Sequence, residues 1–233
     1  MNIYKGFLTL LTIGSLSLSA CGLPKSNVRK QDASTPFSQV VKSMGGLLSG
    51  AGKKPVKSGD PRSLLTREAI DKSAIPVLLA GIETRNAYAT LSLFGENRGV
   101  ISWLTADGIG LYLRQGVLVS TRGLGQDLMA ADVADVIRAI QTGHGTAIKI
   151  HDYLDGEDQM YRRSFYCTIR TKGREKLNIY GLSVATRHVV ESCQNPELKY
   201  ENDYWISSGN RIWQSRQWIG PDLQYLTMQY LSR

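Results

Sequence analysis

From residue 75 to the C-terminus, short runs rich in Val, Ile, Leu, Tyr and Thr alternate with turn residues, the pattern expected of successive strands. IPVLLAGI (75–82) ends at Thr84-Arg85-Asn86, AYATLSLFG (87–95) at Glu96-Asn97-Arg98-Gly99, and VISWLTA (100–106) at Asp107-Gly108. Asp-Gly suits a type I′ hairpin, because both central residues of that turn take positive φ. IGLYLRQ (109–115) then turns at Gln115-Gly116 into VLVSTRG (117–123). Connections this short join antiparallel neighbours.

The period changes between Gly125 and Gly143. DLMAADVADVIRAIQ (127–141) places Leu128, Val133, Val136, Ile137 and Ile140 near one face at helical spacing, with Gly143 as a stop. Alternation then resumes in TAIKIHDYL (146–154), MYRRSFYCTIR (160–170), KLNIYGLSVATRHVVESC (176–193), LKYENDYWISS (198–208), RIWQSRQWI (211–219) and LQYLTMQYL (223–231). Asp155-Gly156, Lys172-Gly173, Asn195-Pro196, Ser208-Gly209 and Gly220-Pro221 divide these runs. The expected fold is all-β, a mainly antiparallel sandwich or an open or closed barrel, with one or two short helices.

The N-terminus follows different rules. Lys5, an apolar stretch over 7–18 and small residues after it match a secretory signal, and the stretch is too short to span a bilayer. Leu18 is too large for the third-last position of an ordinary cleavage site, whereas Leu18-Ser19-Ala20-Cys21 resembles a bacterial lipobox. Cys21 is then the first residue of the mature chain and carries acyl groups that anchor it in lipid. Gly22 follows where aspartate would favour inner-membrane retention, so the outer membrane is expected. The alternative is a secreted chain in which Cys21 is incidental.

Charge divides the chain in the same way. The net charge is +8, but residues 22–62 hold Lys25, Arg29, Lys30, Lys42, Lys53, Lys54, Lys57 and Arg62 against only Asp32 and Asp60. The remainder after residue 62 is close to neutral. A basic, Ser/Gly/Pro-rich stretch with few aromatics is a tether to an anionic membrane surface or a solvated spacer, not a nucleic-acid site. Residues 37–48 have apolar residues enough for a short amphipathic helix, weakened by Gly45-Gly46. The expected organisation is a signal over 1–20, an acylated cysteine and linker over 21–62, and a β domain over 63–233, with two related halves conceivable. That last idea rests on VSTRGLG (119–125) and WQSRQWIG (213–220), which each place a hydroxyl residue before an arginine, Arg122 or Arg216, after a tryptophan and a glycine turn.

With Cys21 acylated, Cys167 and Cys193 form an even pair in an oxidising compartment and are expected to be joined, the alternative being two buried thiols. Catalytic constellations are sparse. His144, His151 and His188 lack metal-ligand spacing, and no G-x-S-x-G elbow occurs. Asp152, Asp155, Glu157 and Asp158 cluster at Gly156 without an EF-hand register and read as a solvated hairpin tip. No cofactor, metal or enzyme activity is expected. The C-terminal aromatics are the better candidates: Tyr200, Tyr204, Trp205, Trp213, Trp218, Tyr225 and Tyr230 can stack on sugar rings while Arg216 and Gln217 supply donors. Alternating aromatics also build strand cores, so Trp205, Trp213, Arg216, Gln217 and Trp218 stand as candidate contacts to a glycan or partner against that structural role. Trp103, Asp107, Gly108, Arg122, Gly123 and Gly125 are expected to shape structural corners.

WLTADGIGLYLRQGVLVSTRGLGQDL (103–128), Cys167 with Cys193, and YWISSGNRIWQSRQWIGP (204–221) together resemble the YjbF-type lipoprotein family, which includes the lipoprotein of group 4 capsule operons. The likeness implies an outer-membrane lipoprotein with a β-rich periplasmic domain serving exopolysaccharide or capsule production. It carries over no catalytic residues. The expected role is a non-catalytic scaffold in polymer assembly or export, with membrane lipid, secretion proteins and the polysaccharide itself as partners. The alternative role is direct capture of glycan or an amphipathic ligand by an aromatic-lined groove.

Overall fold

The computed structural model describes residues 60–232, so the signal, Cys21, the tether and the expected helix over 37–48 lie outside the described residues. Two short helices, α1 (Pro61–Leu64) and α2 (Arg67–Asp71), precede the sheet. Asp60 caps the first and Thr66 the second, each side chain accepting from a backbone N–H of the first turn.

Twelve antiparallel strands follow: β1 (Val77–Ile82), β2 (Ala87–Asn97), β3 (Val100–Leu104), β4 (Gly110–Arg114), β5 (Val117–Arg122), β6 (Ala130–Asp132), β7 (His144–Leu154), β8 (Met160–Ile179), β9 (Leu182–Gln194), β10 (Lys199–Ile206), β11 (Ile212–Gly220) and β12 (Gln224–Tyr230). Their order is β5-β4-β3-β2-β1-β12-β11-β10-β9-β8-β7-β6, a meander whose first and last strands pair in the middle. The two outermost strands, β5 and β6, are consecutive in the chain. The loop between them brings Thr121 N to 2.9 Å from Leu128 O, so the sheet is a nearly closed barrel. Closure removes most of the unpaired edge that an open sheet would present.

The helical expectation for 127–141 holds only from α3 (Ala134–Thr142); its first part is strand β6, paired with β7 from Ala130 opposite Asp152. Val133, Val136, Ile137 and Ile140 nonetheless enter the core with Leu128, so spacing identified the buried residues while strand pairing fixed the backbone. Gly143 ends the helix in the left-handed conformation, its N–H bonding Ala139 O at 2.9 Å. Arg187 donates to Ile140 O and Gln141 O, satisfying carbonyls left open at that end.

Turn chemistry differs from expectation at two places. Asp107-Gly108 is not a type I′ pair: only Gly108 has positive φ, and its N–H bonds Thr105 O, which is a turn followed by one left-handed residue. Lys172-Gly173 is no turn at all. It is a bulge inside the 20-residue β8, where the register against β9 shifts between Thr171 and Gly173. The reversal comes at Tyr180-Gly181, where both residues have positive φ, as they do at Arg98-Gly99 and Gln115-Gly116.

β1 is buried along its whole length, because it is covered on both faces. Leu78, Ala80 and Ile82 face the barrel core, while Val77 and Leu79 join Leu65, Ile70, Ile179 and Leu231 in a second cluster outside it. Arg67 binds this outer layer. Its guanidinium donates to Ile179 O, Tyr180 O and twice to Leu231 O at 2.9–3.2 Å, linking α2 to the β8–β9 turn and the end of the chain.

Cys167 and Cys193 face one another across β8 and β9, with Cα atoms 4.0 Å apart, and form a buried disulfide. The bridge restricts the unfolded chain by a loop of sequence separation 26. Cys167→Ser with Cys193→Ser is expected to lower the unfolding free energy by roughly 3 to 4 kcal/mol in urea titrations, as chain entropy predicts for such a loop.

Candidate functional site

The barrel interior is not uniformly apolar. β7 alternates in TAIKIHDYL so that Ala147, Lys149, His151 and Tyr153 point inward while Ile148 is half exposed. Lys149 Nζ lies 3.0 Å from Glu191 Oε2, and both side chains are almost fully buried. The same oxygen accepts from Asn202 Nδ2 at 2.6 Å and Tyr204 OH at 2.7 Å. A buried carboxylate is tolerated when it is paired and hydrogen-bonded in this way. Its other oxygen is 3.3 Å from Cys193 Sγ. Cys167, Cys193 and Glu191 have ligand atoms close enough to share an ion, but the disulfide leaves neither sulfur as a thiolate.

Asn202 Oδ1 accepts from Trp218 N at 2.7 Å, which continues the network onto β11. Trp218 stacks on Tyr200 at 4.6 Å between centroids and lies nearly parallel to His151. Tyr153 OH donates to Ile219 O, so the His151 Nδ1–H donates to the tyrosine oxygen and Nε2 carries no proton. Burial holds the imidazole well below its ordinary pKa, with Lys149 reinforcing the effect. Burial likewise pushes the Tyr153, Tyr200 and Tyr204 hydroxyls far up, so all three remain protonated.

The candidate contacts divide accordingly. Trp218 and Gln217 are buried. Gln217 spans the barrel, accepting from Leu118 N and donating to Gly116 O at 2.9 Å, and so holds the β4–β5 turn against β11. Gly116 makes the approach possible: its φ is +84° and a Cβ there would meet Ile212 Cβ at 2.8 Å. Arg216, on the outer face, pairs with both oxygens of Glu83 and lies 3.2 Å over the Tyr225 ring. Trp205 is covered on one face by His188 at 4.5 Å and donates to Glu175, whose carboxyl this N–H holds below the usual range. His188 itself lies within 2.8 Å of Glu175 and 2.7 Å of Asp203, one carboxylate at each ring nitrogen.

Trp213 lies elsewhere. It borders a groove of about 450 Å³ at the barrel mouth nearest the β4–β5 and β10–β11 turns. Leu78, Ile101, Trp103, Leu113 and Met228 line its apolar part; Gln115, Gln141, Gln214 and Ser215 bring polar groups to it. Tyr230 stands between the two indoles, edge-to-face with Trp103 at 5.6 Å and with Trp213 at 5.9 Å. Trp103, expected as a corner, is therefore a wall of the groove. The remaining corner residues act locally. Asp107 accepts from Thr105, Arg122 donates to Thr121 O and Leu128 O, and Gly123 N–H bonds Asp127. Gly125 has φ +100° in the loop that Asp127 organises. A second hollow, on the outer face beside Tyr166 and Glu201, is lined by Arg216 and Tyr225, which are already paired with each other.

Sequence reading missed Lys149, Glu191, Asn202 and Arg211. The local pattern pointed the other way for the first, since alternation with Ile148 and Ile150 favours burying the isoleucines and exposing Lys149.

An antiparallel barrel with a buried polar girdle and an aromatic mouth defines a small β-domain built around a recess. The chain belongs to the YjbF family, described as the group 4 capsule polysaccharide lipoprotein GfcB, YjbF, whose profile matches residues 48–231. Among solved structures, the hypothetical lipoprotein YmcC from Escherichia coli K12 superposes with a TM-score of 0.66 at 19% identity, over 72% of this chain and 89% of that one. That likeness concerns the fold. A putative exported protein with a YmcC-like fold from Bacteroides fragilis gives a TM-score of 0.29 at 9% identity, over 70% and 96% of the two chains. No curated protein sequence matches the chain.

His151 generates a pH dependence. Its folded pKa lies below the unfolded value near 6.5, so the unfolded chain takes up a proton that the folded chain refuses, and stability falls as pH drops below about 6.5. The slope reaches at most about 1.4 kcal/mol per pH unit. The difference in unfolding free energy between wild type and His151→Phe, measured by urea titration from pH 7 to 5, is expected to shrink in parallel.

Proposed function

We propose that the chain is a non-catalytic accessory factor in capsule polysaccharide assembly or export, and that its domain holds a segment of the polymer in the groove at the barrel mouth. The observation that carries this is the groove itself, a recess with two indoles, a tyrosine and several side-chain amides. Sugars have apolar C–H faces and polar edges, and such a lining offers complements to both. Family membership supports the pathway. The lipobox at Cys21 and the glycine after it support anchoring at the outer membrane, and export of the disulfide-bearing domain supports its periplasmic face. A basic tether then confines the domain to the membrane surface, where weak contacts are strengthened by effective concentration.

A scaffold role toward a secretion protein has one observation in its favour. Ile148 and Tyr166 are opposite partners on β7 and β8, and each is about half exposed, at 52% and 50%. The groove combines apolar rings with side-chain amides and a guanidinium, whereas that face offers two exposed side chains, so capture leads.

Two measurements test the reading. Cys21→Ser is expected to lose the acyl mass of the mature protein, its membrane fractionation and capsule yield together; a wild type that is soluble and unacylated overturns the anchored factor. Trp213→Ala is expected to weaken binding of capsule fragments about tenfold, equivalent to ~1.4 kcal/mol, with the thermal midpoint little changed. Unaltered binding with Trp213→Ala moves the function away from the groove and toward the Ile148–Tyr166 face.

A further inference from the structure

Among the described residues that line the groove, Arg211 alone bears a charge. It sits where the β10–β11 hairpin closes, its carbonyl accepting from Ser207 N at 3.0 Å while Asn210, with φ +60°, turns the chain just before it. The backbone at the lip is thereby fixed. The guanidinium rests against two rings, with Cζ 5.2 Å from the Trp213 centroid and 5.0 Å from that of Tyr230. Among the described residues no hydrogen bond or ion pair engages its N–H groups. Arg67, Arg187 and Arg216 differ in this respect, since each spends its donors on carbonyls or a carboxylate.

A guanidinium supported on aromatic faces keeps its planar fork of donors free at the edge, a geometry that matches a carboxylate with two parallel hydrogen bonds. Among the described residues, no acidic side chain lines the groove to compete for it. The neighbouring donors and acceptors are neutral: Gln214 Oε1 accepts from Gln229 and Gln115 Oε1 from Gln141, which orients both amides along the wall. One cation at the lip of an apolar floor with amide walls is complementary to a sugar ring bearing a single carboxylate, and it leaves a neutral ring without a partner for Arg211.

We propose that the groove selects an acidic saccharide, and that Arg211 binds the carboxylate of a uronate or carboxylate-bearing sugar while Trp213 and Tyr230 meet the ring. The proposal rests on the capture reading above and specifies its ligand. It also requires that the capsule polymer of the producing cell contain carboxylated sugars.

The test uses the detergent-solubilised full chain and fragments of that cell's capsule polymer, native and after chemical reduction of their carboxyls to alcohols, titrated by calorimetry. Native fragments are expected to bind about tenfold tighter than reduced ones, as one charge-assisted bidentate contact provides, and the preference should fall with added salt. Arg211→Gln is expected to bring the ratio of native to reduced affinities, both measured on the variant, close to one; Arg211→Lys should restore part of the preference. Equal binding of native and reduced fragments by wild type, a preference that survives Arg211→Gln, or a polymer without carboxylates overturns the acidic assignment and leaves capture standing. If neither form binds, the capture reading falls as well.

Discussion

Everything inside the barrel is arranged around a negative charge that water cannot reach. Glu191 is a fully buried carboxylate, and its solvation is replaced by Lys149 from β7 and by Asn202 and Tyr204 from β10. An unpaired carboxylate in that position would cost several kcal/mol, so the three donors must arrive together. Their arrival fixes the registers of β7, β8, β9 and β10 at one level. The disulfide, adjacent to Glu191, fastens β8 to β9 at the same level, and Asn202 passes the constraint to β11 through Trp218 N. Hydrophobic burial forbids a one-residue slip, which would turn the apolar face outward, but it resists a two-residue slip less, because the same face stays inside. A carboxylate with named donors resists both.

The same logic operates at the mouth. Gln217 is buried on β11 and satisfies both Leu118 N and Gly116 O, so the β4–β5 hairpin is held to the opposite wall by polar bonds that apolar packing could not orient. α3 packs against β7 and β8, and its Gln141 bonds Gln115 on the turn. The recess lined by Trp103, Trp213 and Tyr230 is what remains open between these fixed points. Its shape is thus inherited from the interior network, and the rings that border it are braced against one another in edge-to-face contacts. Such a site has little to reorganise when a ligand enters.

The all-β class and most strand positions were legible because period-two alternation and turn dipeptides act locally. Misreadings arose where long-range pairing overrode local preference. Lys172-Gly173 has turn composition, but β9 pairs on both sides of it and absorbs the extra residue as a bulge. Residues 128–133 carry helical spacing, but β7 captures 130–132 as a strand. Hydropathy along 146–154 favours burying Ile148 and Ile150, and the barrel instead buries Lys149 and His151, since their partners Glu191 and Tyr153 are already inside. Of the candidate contacts, Trp213 lies at the groove, whereas Trp218 and Gln217 serve the interior. Nothing local distinguishes these aromatics and amides, which lie within six residues of each other on one strand. Arg211 was equally unreadable, since its significance is the company of Tyr230, nineteen residues away in the chain.

Arg67 gives the fold a mechanical property. Its guanidinium joins the N-terminal helix pair to the final carbonyl of the barrel, Leu231 O, and to the turn of the longest hairpin. Arg67 is the first residue of α2 and precedes β1 in the chain. A pull delivered through the N-terminal segment reaches the Arg67 clasp before it reaches β1, and the clasp spreads the load over β12 and the β8–β9 hairpin rather than peeling one strand from its neighbours. Fastened in this way, the domain can be tugged from its N-terminal side without opening the barrel at its first strand.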